Sequence, residues 1–368
     1  MFSEILPTLD IEGQRTRLDE VTTDDVATTL RKSRFTPADF ATLISPAAQF
    51  FLEPMAQRSH QLTIQRFGRV IQLFIPLYIS NLCYNKCTYC GFSVDKKYPR
   101  RILNDDEIIA EAQVLQSRGF QHVIVLTGEA EDKVGTAYIA HAITLMRPYF
   151  SSISIEVQPM SETDYLKMRA VGVDSLTLFQ ETYHPDAYAA YHLAGKKKHF
   201  SNRLDAVDAG AKAGFYRIAL GALLGLTDWR YDALALCQHL IYLQKKYWRT
   251  QYGISFPRIK DMGSEFDIQH PVSDRDIAQF ITAFRLCFPD LGITLSTRES
   301  ATLRDQLVPL GITHMSAESN TAPGGYSGMD TEPQFETSDH RSLGEIREKL
   351  AGLGYESVMK DWVHLAVT

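Results

Sequence analysis

The chain has no apolar run that approaches the length needed to cross a membrane as a helix. It has no low-complexity tract. Residues Met1 to Asp10 lack both a basic flank and a long apolar stretch, so no secretory signal is expected. Its formal charge is only -6, a balance that favours neither nucleic acid nor an anionic bilayer. Cysteine is scarce, with five in 368 residues. An odd count without the spacing of a disulfide framework points to a reducing compartment, and a cytoplasmic location is expected. What is present is 45% hydrophobic and 22% charged residues. That is enough to bury the core of one large α/β domain with an extension, or of two domains.

Three of the five cysteines are concentrated in one place. Cys83-Tyr84-Asn85-Lys86-Cys87-Thr88-Tyr89-Cys90 is a C-x3-C-x2-C array, followed by Gly91-Phe92 and preceded by Leu73–Ile79, an apolar run that reads as a buried strand. Three thiolates are one short of a closed site, and a centre with three protein ligands keeps a position open for a substrate or cofactor. Soft thiolates select zinc, copper(I) or an iron–sulfur cluster. The bland reading is a partial zinc site, or reduced thiols that are merely close. Cys237 and Cys287 lie in helix-like apolar patterns and read as small buried hydrophobes.

Residues 1–70 read as a helical extension, with a helix start at Thr36-Pro37 and a second helix over about Ala47 to Phe67. From residue 71 onward, strand and helix patterns alternate. The strands are expected near 73–79, 122–126, 152–157, 175–179, 217–221, 253–256, 293–296 and 313–317. Helices are expected between them, most clearly after Asn104, where Glu107 completes a capping box. Eight β-then-α units predict an α/β fold, a (β/α)8 TIM-type barrel over 71–368, with the extension packed on its bottom or side.

In such a barrel the site lies at the C-terminal strand ends. After strand 1 come the three cysteines. After strand 2 come Thr127, Gly128 and Glu129, a carboxylate suited to a ligand ammonium group. Glu156 ends strand 3 on the same face as Gln158. Gln180 and Glu181 end strand 4. Gly221 and Gly225 flank the end of strand 5, either for close approach to a flat ring or for strand packing. Arg258 follows strand 6, either free for a ligand or in a surface ion pair. Arg298 follows strand 7 and Ser316 lies on strand 8. His122, His184 and His199 read as structural, and Lys196-Lys197-Lys198 as a solvated loop.

The cysteine spacing resembles the signature of the radical S-adenosylmethionine (SAM) superfamily. The longer stretch Cys87-Thr88-Tyr89-Cys90-Gly91-Phe92-Ser93 resembles the aromatic amino acid lyases within it. Thr127-Gly128-Glu129 stands where the superfamily carries Gly-Gly-Glu, with Thr127 replacing the first glycine. Glu156-Val157-Gln158-Pro159, Phe179-Gln180-Glu181-Thr182-Tyr183-His184, Ser255-Phe256-Pro257-Arg258, Leu295-Ser296-Thr297-Arg298-Glu299 and Pro323-Gly324-Gly325-Tyr326 extend the likeness to the tyrosine lyases of thiamine biosynthesis. The resemblance implies a [4Fe–4S] cluster on Cys83, Cys87 and Cys90, with SAM on the open iron. It implies SAM contacts from Tyr89, Thr127, Gly128, Glu129, Glu156, Gly221, Gly225 and Arg258. It implies that Arg298 and Ser316 hold the carboxylate of L-tyrosine, with Gln180 and Glu181 facing the amino acid. It also implies a thiazole synthase as partner and a flavodoxin or ferredoxin as electron donor. The tyrosine lyase of hydrogenase maturation carries a second cysteine-bound cluster near its C-terminus; here no cysteine follows Cys287. A tryptophan lyase is the sibling alternative, and a non-catalytic zinc-binding barrel the other.

Overall fold

The computed structural model describes residues 1–259 and 266–360. Among them, eight strands form one closed parallel sheet: β1 (Val70–Ser80), β2 (His122–Thr127), β3 (Ser152–Glu156), β4 (Ser175–Glu181), β5 (Arg217–Ala222), β6 (Gln251–Ser255), β7 (Gly292–Leu295) and β8 (His314–Ser316). Each pairs with the next, and β8 returns to β1 through Gln72↔His314, Leu73↔Met315 and Phe74↔Ser316. The barrel predicted from β-α alternation is therefore present. A further short strand, Glu356–Val358, adds beside the start of β1. The barrel range expected from the sequence runs on to 368, whose last eight residues lie outside those described.

The main helix after each strand is, in order, α1 (Asp105–Ser117), α2 (Thr136–Met146), α3 (Glu162–Ala170), α4 (Phe200–Lys212), α5 (Trp229–Lys246), α6 (Asp274–Cys287), α7 (Ala301–Leu307) and α8 (Leu343–Gly352), and a short helix, Pro185–Tyr191, precedes α4. Their starts follow local chemistry. Asn104 accepts the Glu107 N–H at 3.1 Å while the Glu107 carboxylate accepts the Asn104 N–H at 2.9 Å, so two orphan donors are satisfied at once. Ser273 with Asp276 and Ser342 with Glu345 repeat the device at α6 and α8.

The extension holds helices at Phe2–Ile5, Ile11–Arg17, Thr23–Leu30, Phe40–Ile44 and Leu52–Phe67. It packs against α5 and α6. Phe2 stacks on His239 with ring centroids 4.1 Å apart, and Phe40 meets Phe284 at 4.5 Å. The helix expected from Ala47 begins only at Leu52, after a 3-10 stretch over Pro46–Phe51. Pro54 is the reason. It has no N–H to offer the carbonyl four residues back, and it is tolerated only in a first turn.

Bulky branched side chains usually fill a barrel of this kind. Here Ser154, Ser175, Thr177, Ala219 and Thr294 face inward, and their small size leaves a cavity of about 200 Å³ that reaches from the strand starts to the mouth. No described helix is long and apolar enough to cross a membrane.

Candidate active site

The cysteine loop leaves β1 and is held at both ends by one arginine. The Arg100 guanidinium donates to Asn81 O at 2.9 Å, Phe92 O at 2.9 Å and Ser93 O at 2.5 Å. Inside the loop, Cys90 N–H donates to Cys87 O at 3.2 Å, and Cys87 N–H to Ser93 Oγ at 3.2 Å. Lys86–Cys87 pairs with His192–Ala194 in a small antiparallel ribbon that the sequence reading did not contain. Two glycines allow the close approach. A Cβ on Gly128 would lie 2.2 Å from Leu82 O and 3.1 Å from the Cys83 Cβ, and one on Gly91 would lie 2.4 Å from Gln334 O.

Cys87 is buried, while Cys83 and Cys90 are half-buried, and all five cysteines are free thiols. Burial pushes the Cys83 and Cys87 thiols up. A bound cationic centre would reverse that and deprotonate them. Among the described residues, no three His, Cys, Asp or Glu side chains converge as they would on a single ion. A cluster in which each thiolate holds its own iron does not require such convergence. The Cys90 sulfur already accepts Phe92 N–H at 3.4 Å, and Gln334 Nε2 lies 3.8 Å from it. The donor set of three soft thiolates at a barrel mouth therefore fits a cluster better than one metal ion.

The internal cavity opens on Cys90, Tyr89, Glu156, Glu181, Arg298 and Ser316. A second cavity of about 540 Å³ shares Tyr89, Cys90 and Arg298 and adds Cys87 and Arg258. Eight of the residues singled out from sequence thus meet in one connected space.

Arg298 has no carboxylate partner among the described residues. Its guanidinium lies over the Phe335 ring, 3.4 Å from the centroid, and burial holds its pKa below the usual arginine range. Ser316 is fixed beside it, because its Oγ accepts Thr297 N–H at 3.1 Å and its carbonyl accepts from Arg304. The Ser316 hydroxyl proton is left to donate. Glu156 has no hydrogen-bond partner among the described residues. Burial, then the nearby Glu181, pushes its carboxyl up to about 7, against the pull of Arg203, Lys197 and Arg298. Tyr89 donates its hydroxyl to His192 Nε2 at 2.8 Å. The other ring nitrogen of His192, Nδ1, must carry the proton, since its neighbour at 2.7 Å is the Tyr188 carbonyl.

Other expected site residues sit behind this wall. The Glu129 carboxylate accepts Arg203 Nη1 at 2.7 Å and Asn85 Nδ2 at 2.7 Å. Burial raises it, but Arg203 and Lys197 outweigh burial and hold it below the usual carboxylate range. Thr127 donates to Gln158 Oε1 at 3.4 Å, and Gly128 seats the loop.

Four of the expected contact residues are placed otherwise. Gln180 does not face the cavity: it is the extra residue of a bulge between Phe179 and Glu181, turned so that its Nε2 donates to Phe200 O at 3.3 Å. Gly221 is a packing glycine, since a Cβ there would stand 2.2 Å from Ser255 O and 2.3 Å from Phe179. Gly225 turns the chain at φ +112° against Ile259 and Ile268, and lines neither cavity. Arg258 lines the second cavity, but its fork is taken: Nε and Nη2 pair with Glu299 at 2.9 and 2.7 Å, and the rest reaches Val272 O and Asp274.

Two site residues escaped the sequence. Lys197, read as part of a solvated loop, is half-buried, pairs with Glu181 at 2.6 Å and lines the cavity. Nothing in a run of three lysines marks the middle one. Arg203 did leave a signal. It shares the buried face of α4 with Val207 and Gly210, where a lone charge is out of place. Asn85 joins these parts, since its Oδ1 accepts Lys197 N–H at 2.9 Å while its amide holds Glu129.

Comparison with known proteins agrees with this geometry. Residues 77–237 match the radical SAM superfamily, and residues 255–356 match the biotin and thiamin synthesis associated domain. The 2-iminoacetate synthase of Escherichia coli (strain K12) is 41% identical over 363 residues, covering 98% of this chain and 96% of that protein. Among solved structures, the FeFe-hydrogenase maturase HydG from Carboxydothermus hydrogenoformans superposes with a TM-score of 0.91 at 29% identity, over 99% of this chain and 86% of that one. A second HydG crystal structure gives 0.89 at 30% identity, over 95% and 80%.

Proposed function

The chain belongs to the 2-iminoacetate synthases of the radical SAM superfamily, and on that premise we propose that it cleaves the Cα–Cβ bond of L-tyrosine to 2-iminoacetate and p-cresol for thiamine biosynthesis. A [4Fe–4S] cluster with SAM supplies, when bound and reduced, the hydrogen-abstracting 5′-deoxyadenosyl radical, with methionine as the other product. Cys83, Cys87 and Cys90 would hold that cluster.

The chain's own residues do the rest. Arg298 offers an unshared planar fork, and Ser316 a hydroxyl proton, to the tyrosine carboxylate. Phe335 keeps the fork flat and in place from below. With the carboxylate anchored, the amino group is directed toward the cysteine loop, and Glu181 with Lys197 lines the wall it meets. Glu156 is an open carboxylate that accepts hydroxyl donors such as a ribose. Glu129 meets the SAM ammonium, and Arg203 shares its charge. Arg258 braces β6 to β7 through Glu299 and is not assigned a ligand. The aromatic walls Phe179 and Phe335 exclude water from the reacting groups. The imine product hydrolyses readily, which supports direct transfer to a thiazole synthase. A flavodoxin or ferredoxin is the class of electron donor.

The observation that carries this reading is the cavity that joins Cys90 to Arg298, which has no carboxylate partner among the described residues, and to the Ser316 hydroxyl. Anaerobically reconstituted protein, given tyrosine, SAM and dithionite, should release p-cresol together with 5′-deoxyadenosine. An indole product from tryptophan with none from tyrosine, or activity in a colourless zinc-loaded protein, would overturn it.

A further inference from the structure

We propose that the surface over the Cys87 ribbon is the docking face for a small acidic protein that carries single electrons. The inference rests on the radical SAM reading and adds where, and by what chemistry, the donor is received.

Three of the seven large hydrophobic side chains exposed among the described residues fall in this one place: Tyr84 (45%), Val94 (48%) and Leu193 (50%). They are joined through the backbone. Val94 N–H donates to Asn85 O at 2.9 Å, beside Tyr84, and Leu193 lies in the ribbon strand opposite Lys86 and Cys87. Isolated exposed apolar groups need no explanation, but a cluster on one short ribbon does.

Lysines ring this centre. Lys86, Lys96, Lys97, Lys196 and Lys198 all project from the two segments that carry the three apolar groups. Asp95 pairs with Lys86 at 3.3 Å, Glu131 pairs with Lys196, and the Asp132 carboxylate accepts from Tyr84. Lys96, Lys97 and Lys198 have no ion pair among the described residues. In a chain of formal charge -6 this face is locally positive. An apolar centre with a charged rim is the anatomy of a transient interface. Weak electron-transfer encounters bury less than about 1,200 Å² in total, which a patch of this kind can supply.

The position matters as much as the chemistry. Cys87 is buried but belongs to the ribbon itself, paired with His192 and followed by the exposed Thr88. Electron transfer weakens steeply with distance, so a donor seated here has the short route. A rim of lysines steers an acidic partner and makes its arrival sensitive to salt.

The test uses the reconstituted holoenzyme with two reductants, reduced flavodoxin and dithionite. Lys97→Glu and Lys198→Glu, combined in one variant, should cut the flavodoxin-driven rate of p-cresol formation by about tenfold at low salt. The dithionite-driven rate should stay within about twofold, since neither Lys97 nor Lys198 lines either cavity. Raising ionic strength should slow the flavodoxin-driven wild type and leave the variant flat. Leu193→Ser should weaken flavodoxin binding, read directly by titration, without changing the salt slope. An unchanged flavodoxin-driven rate in the double variant overturns the proposal, as does a dimer in sedimentation that these substitutions dissolve, because a second copy would then own the face. Failure with dithionite in the wild type would instead strike the tyrosine lyase reading.

Discussion

Arg298→Lys tests the carboxylate clamp most directly. The arginine enters the cavity with no carboxylate partner among the described residues, its guanidinium lies over Phe335, and Ser316 is oriented beside it. A two-donor fork makes two charge-assisted bonds to a carboxylate, each worth about 1.5–3 kcal/mol. Lysine keeps the charge and one bond but loses the second bond and the stacking plane. The loss is then about 1.5–3 kcal/mol, or roughly 10- to 150-fold in kcat/KM for tyrosine. A looser amino group also meets the radical less often, so 5′-deoxyadenosine should accumulate beyond p-cresol. Both products are quantified from the same anaerobic reaction by chromatography, alongside iron content to show that the cluster is intact. A wild-type rate with an unchanged product ratio would remove Arg298 from the substrate site and leave its stacking on Phe335 as a packing feature.

Replacing Cys83, Cys87 or Cys90 with alanine should abolish the iron-dependent absorbance of the reconstituted protein, whereas Cys237→Ala and Cys287→Ala should retain it; a zinc-loaded triple-cysteine site of equal activity contradicts the assignment. Glu156→Gln should stabilise the apoprotein in a pH-dependent way. The folded carboxyl is raised to about 7 from a usual 4.5, so ionisation penalises the fold, with no penalty below 4.5, a growing one up to 7 and the full one above. The variant should therefore match wild type in melting temperature near pH 4.5 and exceed it at pH 8, by at most about 3 kcal/mol, less where cavity water screens the charge; a constant difference across pH argues against a raised carboxyl. Gly221→Ala should lower the melting temperature, since the new Cβ meets the Ser255 carbonyl 2.2 Å away, and backbone overpacking costs about 1–3 kcal/mol or more; an unchanged melting temperature would show that the strand pair yields. Arg203→Met should strand the buried Glu129 charge, at a cost of about 3–5 kcal/mol, and combining it with Glu129→Gln should recover part of that loss in a chemical denaturation series.

The sequence alone carried the architecture, because the signals for a (β/α)8 barrel are local. Apolar runs of strand length, capping boxes such as Asn104 with Glu107, and serine caps at 161, 273 and 342 each act within a few residues. The cysteine array was legible for the same reason, as were Arg298 and Ser316, which sit at strand ends where topology alone points them to the mouth. Tertiary structure decided which charges are free and which are engaged. Arg258 and Arg298 look alike in sequence, each just past a strand, yet Glu299 captures one and leaves the other open. Three adjacent lysines look alike too, yet the turn held by Asn85 draws only Lys197 inward, onto Glu181. Gln180 and Glu181 are neighbours, and a single bulge gives the cavity to the second. Partner choice among charged groups depends on side chains dozens of residues apart meeting at hydrogen-bond distance, and no periodicity or spacing encodes that meeting.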